Sequence, residues 1–274
     1  MNSRSFNLPR RQLLAYLMWP GLTAHAADLE TTTATPLRIE SSEADGEIKG
    51  SVQALSPFAL GAVSEALGAP TTWCEILMLH LNNKACRLDP AASGPAIALS
   101  IARKHDLAVH NAHALRLQWQ LRESTPQRFV VRLDAPDGPF GTKDYVVLLT
   151  AEPAPGGQTS IAFSYACRFG PAARMALQTY LATLGRDKVG FTTVVSSNGP
   201  RLVGGLRGVV ERTAMRYYLA IDAWLQTAAL EPMQRPMARL ETWFDATERY
   251  PRQLHELDRA TYLANKRREL GIAP

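Results

Sequence analysis

The chain lacks the motifs that usually announce a chemistry. No G-x-S-x-G nucleophile turn and no H-E-x-x-H helix occurs, and Gly204-Gly205-Leu206-Arg207-Gly208 has the spacing of neither a dinucleotide fingerprint nor a phosphate-binding loop. The common hydrolase, metalloprotease and nucleotide chemistries therefore have no warrant in the sequence, and no cofactor is expected. Low-complexity tracts and internal repeats are also missing. With 46% hydrophobic and 20% charged residues, the composition excludes a disordered or fibrous chain. The 274 residues suffice for one large domain, or one domain with an appendage, whose core does not depend on disulfides or metal.

Charge of one sign is scarce once the N-terminus is set aside. The formal charge of +5 comes from 30 Lys and Arg against 25 Asp and Glu. Arg4, Arg10 and Arg11 lie in an acid-free leader, and removing those three leaves 27 against 25, or +2. So small an excess gives no compositional argument for nucleic acid or an anionic membrane, both of which need clustered cations. Residues 1–26 read as a signal peptide: a basic region ending in Arg10-Arg11, an apolar stretch from Leu13 to Thr23, and Ala24-His25-Ala26 as the small-x-small cleavage site. The stretch is about half the ~20 residues of a spanning helix, and Pro20 and Gly21 interrupt it. No later apolar run reaches spanning length. The expectation is a protein cleaved near Ala26 and soluble in the periplasm or secreted. Pro9-Arg10-Arg11-Gln12-Leu13-Leu14 resembles the twin-arginine export signature, with general export as the alternative.

Cysteine is rare too, at positions 74, 86 and 167. In an oxidising compartment Cys74 and Cys86 are expected to close a short disulfide loop. Cys167 is left over, on the strand face it shares with Phe163 and Tyr165, and reads as a buried inert thiol.

Residues 27–36, Thr-rich and closed by Pro36, read as a flexible lead-in. From Glu47 the chain alternates, with Ile48, Gly50, Val52 and Ala54 on one side, as a half-buried strand does. Ser56-Pro57 predicts a helix start, Gly68-Ala69-Pro70 a stop, and a second helical stretch runs from Thr72 to about His80. Five further strands are predicted at 96–103, 113–123, 127–135, 143–152 and 158–167, joined by turns short enough for antiparallel hairpins. Leu115, Leu117, Trp119 and Leu121, then Phe129, Val131 and Leu133, then Ile161, Phe163 and Tyr165 define one inner face. A helix is predicted at 172–184, a last strand at about 188–196, a long apolar helix from about Leu206 to Ala228, and two amphipathic helices over 238–270 broken at Pro251.

This order, with Pro57-Phe58 opening the first helix, Trp73-Cys74 in the second and Gly141-Thr142-Lys143-Asp144-Tyr145 entering a central strand, resembles the helix-grip fold of the START-like, polyketide-cyclase and Bet v 1 superfamily, as an exported bacterial member. The resemblance covers about 37–229, with 230–274 as an added C-terminal helical appendage; it departs from the simplest family pattern in those helices and in the one at 172–184. It implies an α+β domain in which a curved antiparallel sheet of about six to seven strands wraps around the long helix. It also implies a cavity between sheet and helix suited to a lipid or other hydrophobic small molecule. The superfamily spans lipid carriers, small-molecule receptors and a minority of enzymes, and a fold alone does not choose among them.

Candidate site residues follow. Arg212 and Arg216, four apart on the long helix, are a candidate cationic clamp for a carboxylate or phosphate head group, with Glu211 steadying one guanidinium; the alternative is exposure or a structural ion pair. Trp119, Phe129, Tyr145, Phe163, Tyr165 and one of Tyr217 and Tyr218 are candidate cavity-lining aromatics, the alternative being closed core. His105, Asp106, His110 and His113 cluster in sequence but match no tight metal spacing, so no metal site is expected. His80 is a candidate acid or base, or a structural histidine. The C-terminal helices, with Leu240, Trp243, Phe244, Leu254, Leu257 and the Lys266-Arg267-Arg268 cluster, offer either transient membrane-surface contact or a cap on the domain. Three functions remain open at this point: a carrier of a hydrophobic molecule, a cyclase-like or hydrolytic enzyme using the same cavity, and an envelope accessory protein binding a protein partner.

Overall fold

The period-2 pattern from Glu47 becomes strand β2 (Glu47–Ser56), with Ile48, Gly50, Val52 and Ala54 buried and Lys49 and Gln53 exposed. The computed structural model describes residues 37–90, 94–196 and 199–272. The expected signal peptide, its expected cleavage site after Ala26 and the expected lead-in 27–36 fall outside the described residues. Ahead of β2 comes β1 (Arg38–Ala44), paired to it through Asp45-Gly46, both at positive φ (50° and 78°), as a two-residue hairpin of the primed type requires. Helices α1 (Leu60–Leu67) and α2 (Pro70–Met78) follow, α1 starting three residues after Pro57 with Ala59 as its cap, so Ser56 ends the strand and caps nothing. Pro70 sits in the first turn of α2, where its missing N–H costs no helical bond.

Strands β3 (Asn83–Leu88), β4 (Ala96–Ile101), β5 (His113–Ser124), β6 (Phe129–Asp137), β7 (Thr142–Pro153) and β8 (Thr159–Phe169) complete an antiparallel sheet in the order β1-β2-β8-β7-β6-β5-β4-β3. It holds eight strands, against the six to seven expected, because β1 and β3 add an edge each. The inner-face pattern is kept for Leu115, Leu117, Trp119, Phe129, Val131, Leu133, Ile161 and Phe163, all buried. Leu121 is 43% exposed, because the pairing of β5 with β6 shifts register between Leu121 and Glu123 and ends the alternation there.

After β8 come helix α3 (Pro171–Ala182) and a separate hairpin of β9 (Thr193–Ser196) and β10 (Gly199–Leu202). The strand expected at 188–196 is therefore not part of the main sheet. Its approach is tied to the next helix instead, since the buried carboxylate of Glu211 accepts from the backbone N–H of Phe191 (2.6 Å) and Thr192 (2.9 Å) and from the Thr192 hydroxyl (2.6 Å). That helix, α4 (Gly205–Gln226), crosses the inner face and packs on β2, β1 and β8. Gly50 permits the close approach: a Cβ there would lie 2.6 Å from the carbonyl oxygen of Val210.

Of the last helices, α5 (Arg235–Thr247) and α6 (Pro251–Leu254) pack on α4, and α7 (Arg259–Leu270) packs on α5 and β3. Leu240, Trp243, Phe244 and Leu254 are buried there, the Trp243 indole N–H donates to the Arg216 carbonyl (2.9 Å), and Tyr262 stacks on Trp243 and donates to the Leu79 carbonyl (2.9 Å). These four apolar residues thus pack as a cap on the domain. The described part of the chain belongs to one compact unit, and none of its helices is long and apolar enough to cross a membrane.

Candidate functional site

Between the inner face of the sheet, α4 and α3 lies a cavity of about 690 Å³, within the range of small-molecule sites. Three periodicities build it. Alternation along β8 turns Tyr165 and Cys167 to one face; alternation along β2 presents Ile48; helical spacing on α4 brings Val210 and Tyr217 to the same side. Helix α3 covers the opening with Ala173, Leu177 and Leu181. Exposed Arg103 and Lys104, which follow β4, the half-buried turn residue Phe140, and exposed Ala176 and Tyr180 of α3 form the part of the lining that meets solvent.

Tyr145, Tyr165 and Tyr217 are a connected aromatic wall. The rings of Tyr145 and Tyr165 meet edge to face at 6.0 Å, and Tyr165 stacks on Tyr217 at 6.0 Å. Burial holds all three hydroxyls in the neutral form: Tyr145 is pushed up to about 12, Tyr165 well above the usual phenol range, and Tyr217 upward despite its Asn83 hydrogen bond and the nearby Arg216 charge. The Thr142 hydroxyl donates to the Pro139 carbonyl and lies 2.6 Å from the Tyr145 hydroxyl, which occupies that phenol. Asn83 Nδ2 donates to the Tyr217 oxygen (3.2 Å), which leaves the Tyr217 proton for an acceptor on a ligand. Cys167 is a free, buried thiol on the same wall, pushed up to about 12 by desolvation, and so an unreactive group at neutral pH.

His80 also lines the cavity, its ring 5.1 Å from that of Tyr217. Its Nδ1 accepts from the Asn82 backbone N–H (3.2 Å), so the neutral ring carries its proton on Nε2. Desolvation, then the charges of Arg216, Lys266, Arg212 and Lys84, hold its pKa well below 6.5. Those cations belong to two buried clusters. Lys84 and Lys266 share Glu269 (2.6 and 2.8 Å), and desolvation lowers Lys266 to about 8. Arg212, Arg216 and Lys188 share Glu256.

Of the eight residues that sequence patterning nominates for ligand contact, the structure brings Tyr145, Tyr165 and Tyr217 to the cavity. Trp119, Phe129 and Phe163 lie on the same inner face but in closed core away from the cavity wall. Arg212 and Arg216 are not on the wall either. Both are buried against the C-terminal cap, where Arg212 donates to the Gln253 carbonyl (2.6 Å) and to Glu256, and Arg216 to the Leu254 carbonyl (3.1 Å) and Glu256 (3.1 Å). A guanidinium so engaged has a structural partner and is not an open clamp. Glu211 steadies neither arginine; it holds Ser41 (2.5 Å) and the Phe191–Thr192 backbone. Tyr218 packs in the core. Cys74 and Cys86 are joined as a disulfide with Cα atoms 5.4 Å apart, linking α2 to β3. Among the described residues no group of three or more His, Cys, Asp and Glu is placed to hold a metal. The His113 ring packs on Phe140 at 4.6 Å, and the His105 carbonyl accepts from Lys84 Nζ (2.6 Å). Sequence patterning missed Asn83, Arg103, Lys104 and Phe140. The adjacent bases at the end of a predicted strand were the available signal for two of them.

No family model matches the chain, and no curated protein matches it. Solved structures with a similar course include a protein from Thermus thermophilus (TM-score 0.42, 9% identity, 66% of this chain and 99% of that one). Ara h 8.0201 (0.40, 11%, 66% and 99%) and human StAR-related lipid transfer protein 5 (0.37, 9%, 73% and 89%) are others. The helix-grip architecture itself is carried by the strand order and by the long helix lying across the sheet.

Proposed function

We propose that this chain binds or carries a hydrophobic small molecule in the cavity between sheet, α4 and α3, and that it does so outside the cytoplasm as an exported bacterial protein. The observation that carries the reading is the cavity itself. A well-folded domain packs the apolar face of its sheet, and an apolar cleft left open there keeps surface in water that packing would otherwise remove. A space of about 690 Å³ walled by Ile48, Tyr145, Tyr165, Val210 and Tyr217 is therefore better explained by an occupant than by loose packing. The Tyr217 hydroxyl and Asn83 supply the few polar groups that orient a ligand in such a site. The Cys74–Cys86 disulfide supports an oxidising compartment.

A second reading, catalysis in the same cavity, has one observation in its favour: His80 and Tyr217 stand side by side on the wall. Arg212 and Arg216 contribute nothing to it, because both are tied to Glu256 away from the cavity wall. The binding reading is tested by comparing native with denaturing mass for the mature protein purified under mild conditions and then incubated with dodecanol or dodecanoate. A native excess that disappears on denaturation is the expected result; a bare mass before and after incubation contradicts it.

A further inference from the structure

This inference rests on the binding reading and narrows its ligand. Every charged side chain on the cavity wall is basic: Arg103, Lys104 and Lys188, with no Asp or Glu among the described lining residues. Lys188 is already held, 2.8 Å from Glu256. Arg103 and Lys104 are different. Both are exposed, and neither forms an ion pair with a described residue. The Arg103 guanidinium lies over the Phe140 ring, 4.8 Å from its centroid, so a planar cation is steadied at the edge of the cavity without using its N–H donors.

Behind the His80 wall the balance is also positive. Lys84, Lys266, Arg212 and Arg216 are buried there with two carboxylates, Glu256 and Glu269. A cationic ligand entering this site meets a repulsive field from the rim and from the wall, and a neutral one leaves the rim donors facing only water. An anionic head gains charge-assisted hydrogen bonds from a guanidinium and an ammonium while its apolar body replaces the empty volume behind them. We propose that the ligand is an amphiphile with an anionic head, a carboxylate or a phosphate, held at the rim by Arg103 and Lys104 while its apolar body lies against Tyr145, Tyr165 and Tyr217.

The test is calorimetric titration of the mature protein with dodecanoate and dodecyl phosphate, each below its micelle concentration, and with dodecanol below its solubility limit, in the wild type and in the Arg103→Gln/Lys104→Gln double variant. Both positions are exposed, and an unchanged melting temperature confirms that the variant is folded. The wild type is expected to bind the anions about tenfold or more tightly than dodecanol, with the tighter of the two identifying the head group. In the double variant that preference collapses while dodecanol affinity stays the same. Raising salt weakens anion binding to the wild type and leaves dodecanol unaffected. Equal affinity for dodecanol and the anions, or a preference that survives in the double variant, overturns the head-group inference and leaves the cavity reading standing. Binding of none of the three overturns both.

Discussion

Replacing Glu256 with glutamine separates a structural ion cluster from a ligand clamp. One carboxylate oxygen faces Arg212 and Arg216, the other lies 2.8 Å from Lys188, and the side-chain exposures are 19% for Glu256 and 7% for each arginine. Desolvation alone would raise the pKa of Glu256, but Arg216, Lys188 and Arg212 outweigh it and hold it below its ordinary 4.5. Arg216 shows the burden of burial directly, since desolvation lowers its pKa to about 10 even with Glu256 beside it. The amide keeps the shape and removes the charge, leaving two buried guanidiniums with backbone carbonyls as partners. Lys188 is half-exposed and adds little. Breaking a buried pair from one side costs about 3–5 kcal/mol, so a loss of at least about 3 kcal/mol is expected, or about 6–12 °C in melting temperature for a domain of this size. Chemical denaturation at neutral pH measures it. A lowered carboxylate pKa contributes stability above the unfolded value that is lost as pH falls through the folded one, so the difference between wild type and variant should begin to shrink as pH falls below the unfolded value of about 4.5 and close only below the folded one. Replacing Arg212 and Arg216 with methionine and Glu256 with leucine together should recover most of the loss, and below the melting range Glu256→Gln should bind the uncharged dodecanol as the wild type does. A variant within about 1 kcal/mol of wild type, or one that folds well and loses dodecanol affinity, would refute the structural assignment of this cluster.

Three other perturbations test the frame around the cavity. Gly50→Ala places a methyl against the Val210 carbonyl and should cost about 1–3 kcal/mol by pushing α4 off β2; an unchanged denaturation midpoint contradicts that close approach. Cys74→Ser/Cys86→Ser opens a loop closed over a sequence separation of 12 and should lower stability by about 3 kcal/mol, with added reductant giving the wild type the same loss and the double variant none. His80 is neutral in the folded protein and titrates near 6.5 when unfolded, so the unfolded state takes up the proton first. Stability should be insensitive to this group above pH 6.5 and fall below it by up to about 1.4 kcal/mol per pH unit; His80→Gln should remove that slope, and parallel stability curves for the two proteins would contradict it.

The fold was legible where period and turn chemistry agree. The five central strands and the long helix follow from alternation, short polar turns and 3.6-residue spacing, all local signals. The edges were harder. β1 carries little pattern although Asp45-Gly46 is a hairpin dipeptide, because its outward residues are polar and its burial is slight. The site was legible only in part, for a physical reason: alternation says which face a residue occupies and not how deep in the sheet it lies. Trp119, Phe129 and Phe163 share the inner face with Tyr145 and Tyr165, yet closed core surrounds the first three and space adjoins the other two. The misplaced clamp has a different origin. Arg212 and Arg216 do share a helix face, but their partner Glu256 arrives from the C-terminal cap, 40 or more residues along the chain, and no local pattern announces it.

The most direct measurement is a crystal structure of the mature protein with dodecanoate bound at saturation. The account predicts continuous ligand density between Tyr145, Tyr165 and Tyr217, with its carboxylate at Arg103 and Lys104 and α3 above it. A structure at saturating ligand in which α3 has closed onto the sheet, with the space filled by side chains and no ligand between the tyrosines, would contradict it.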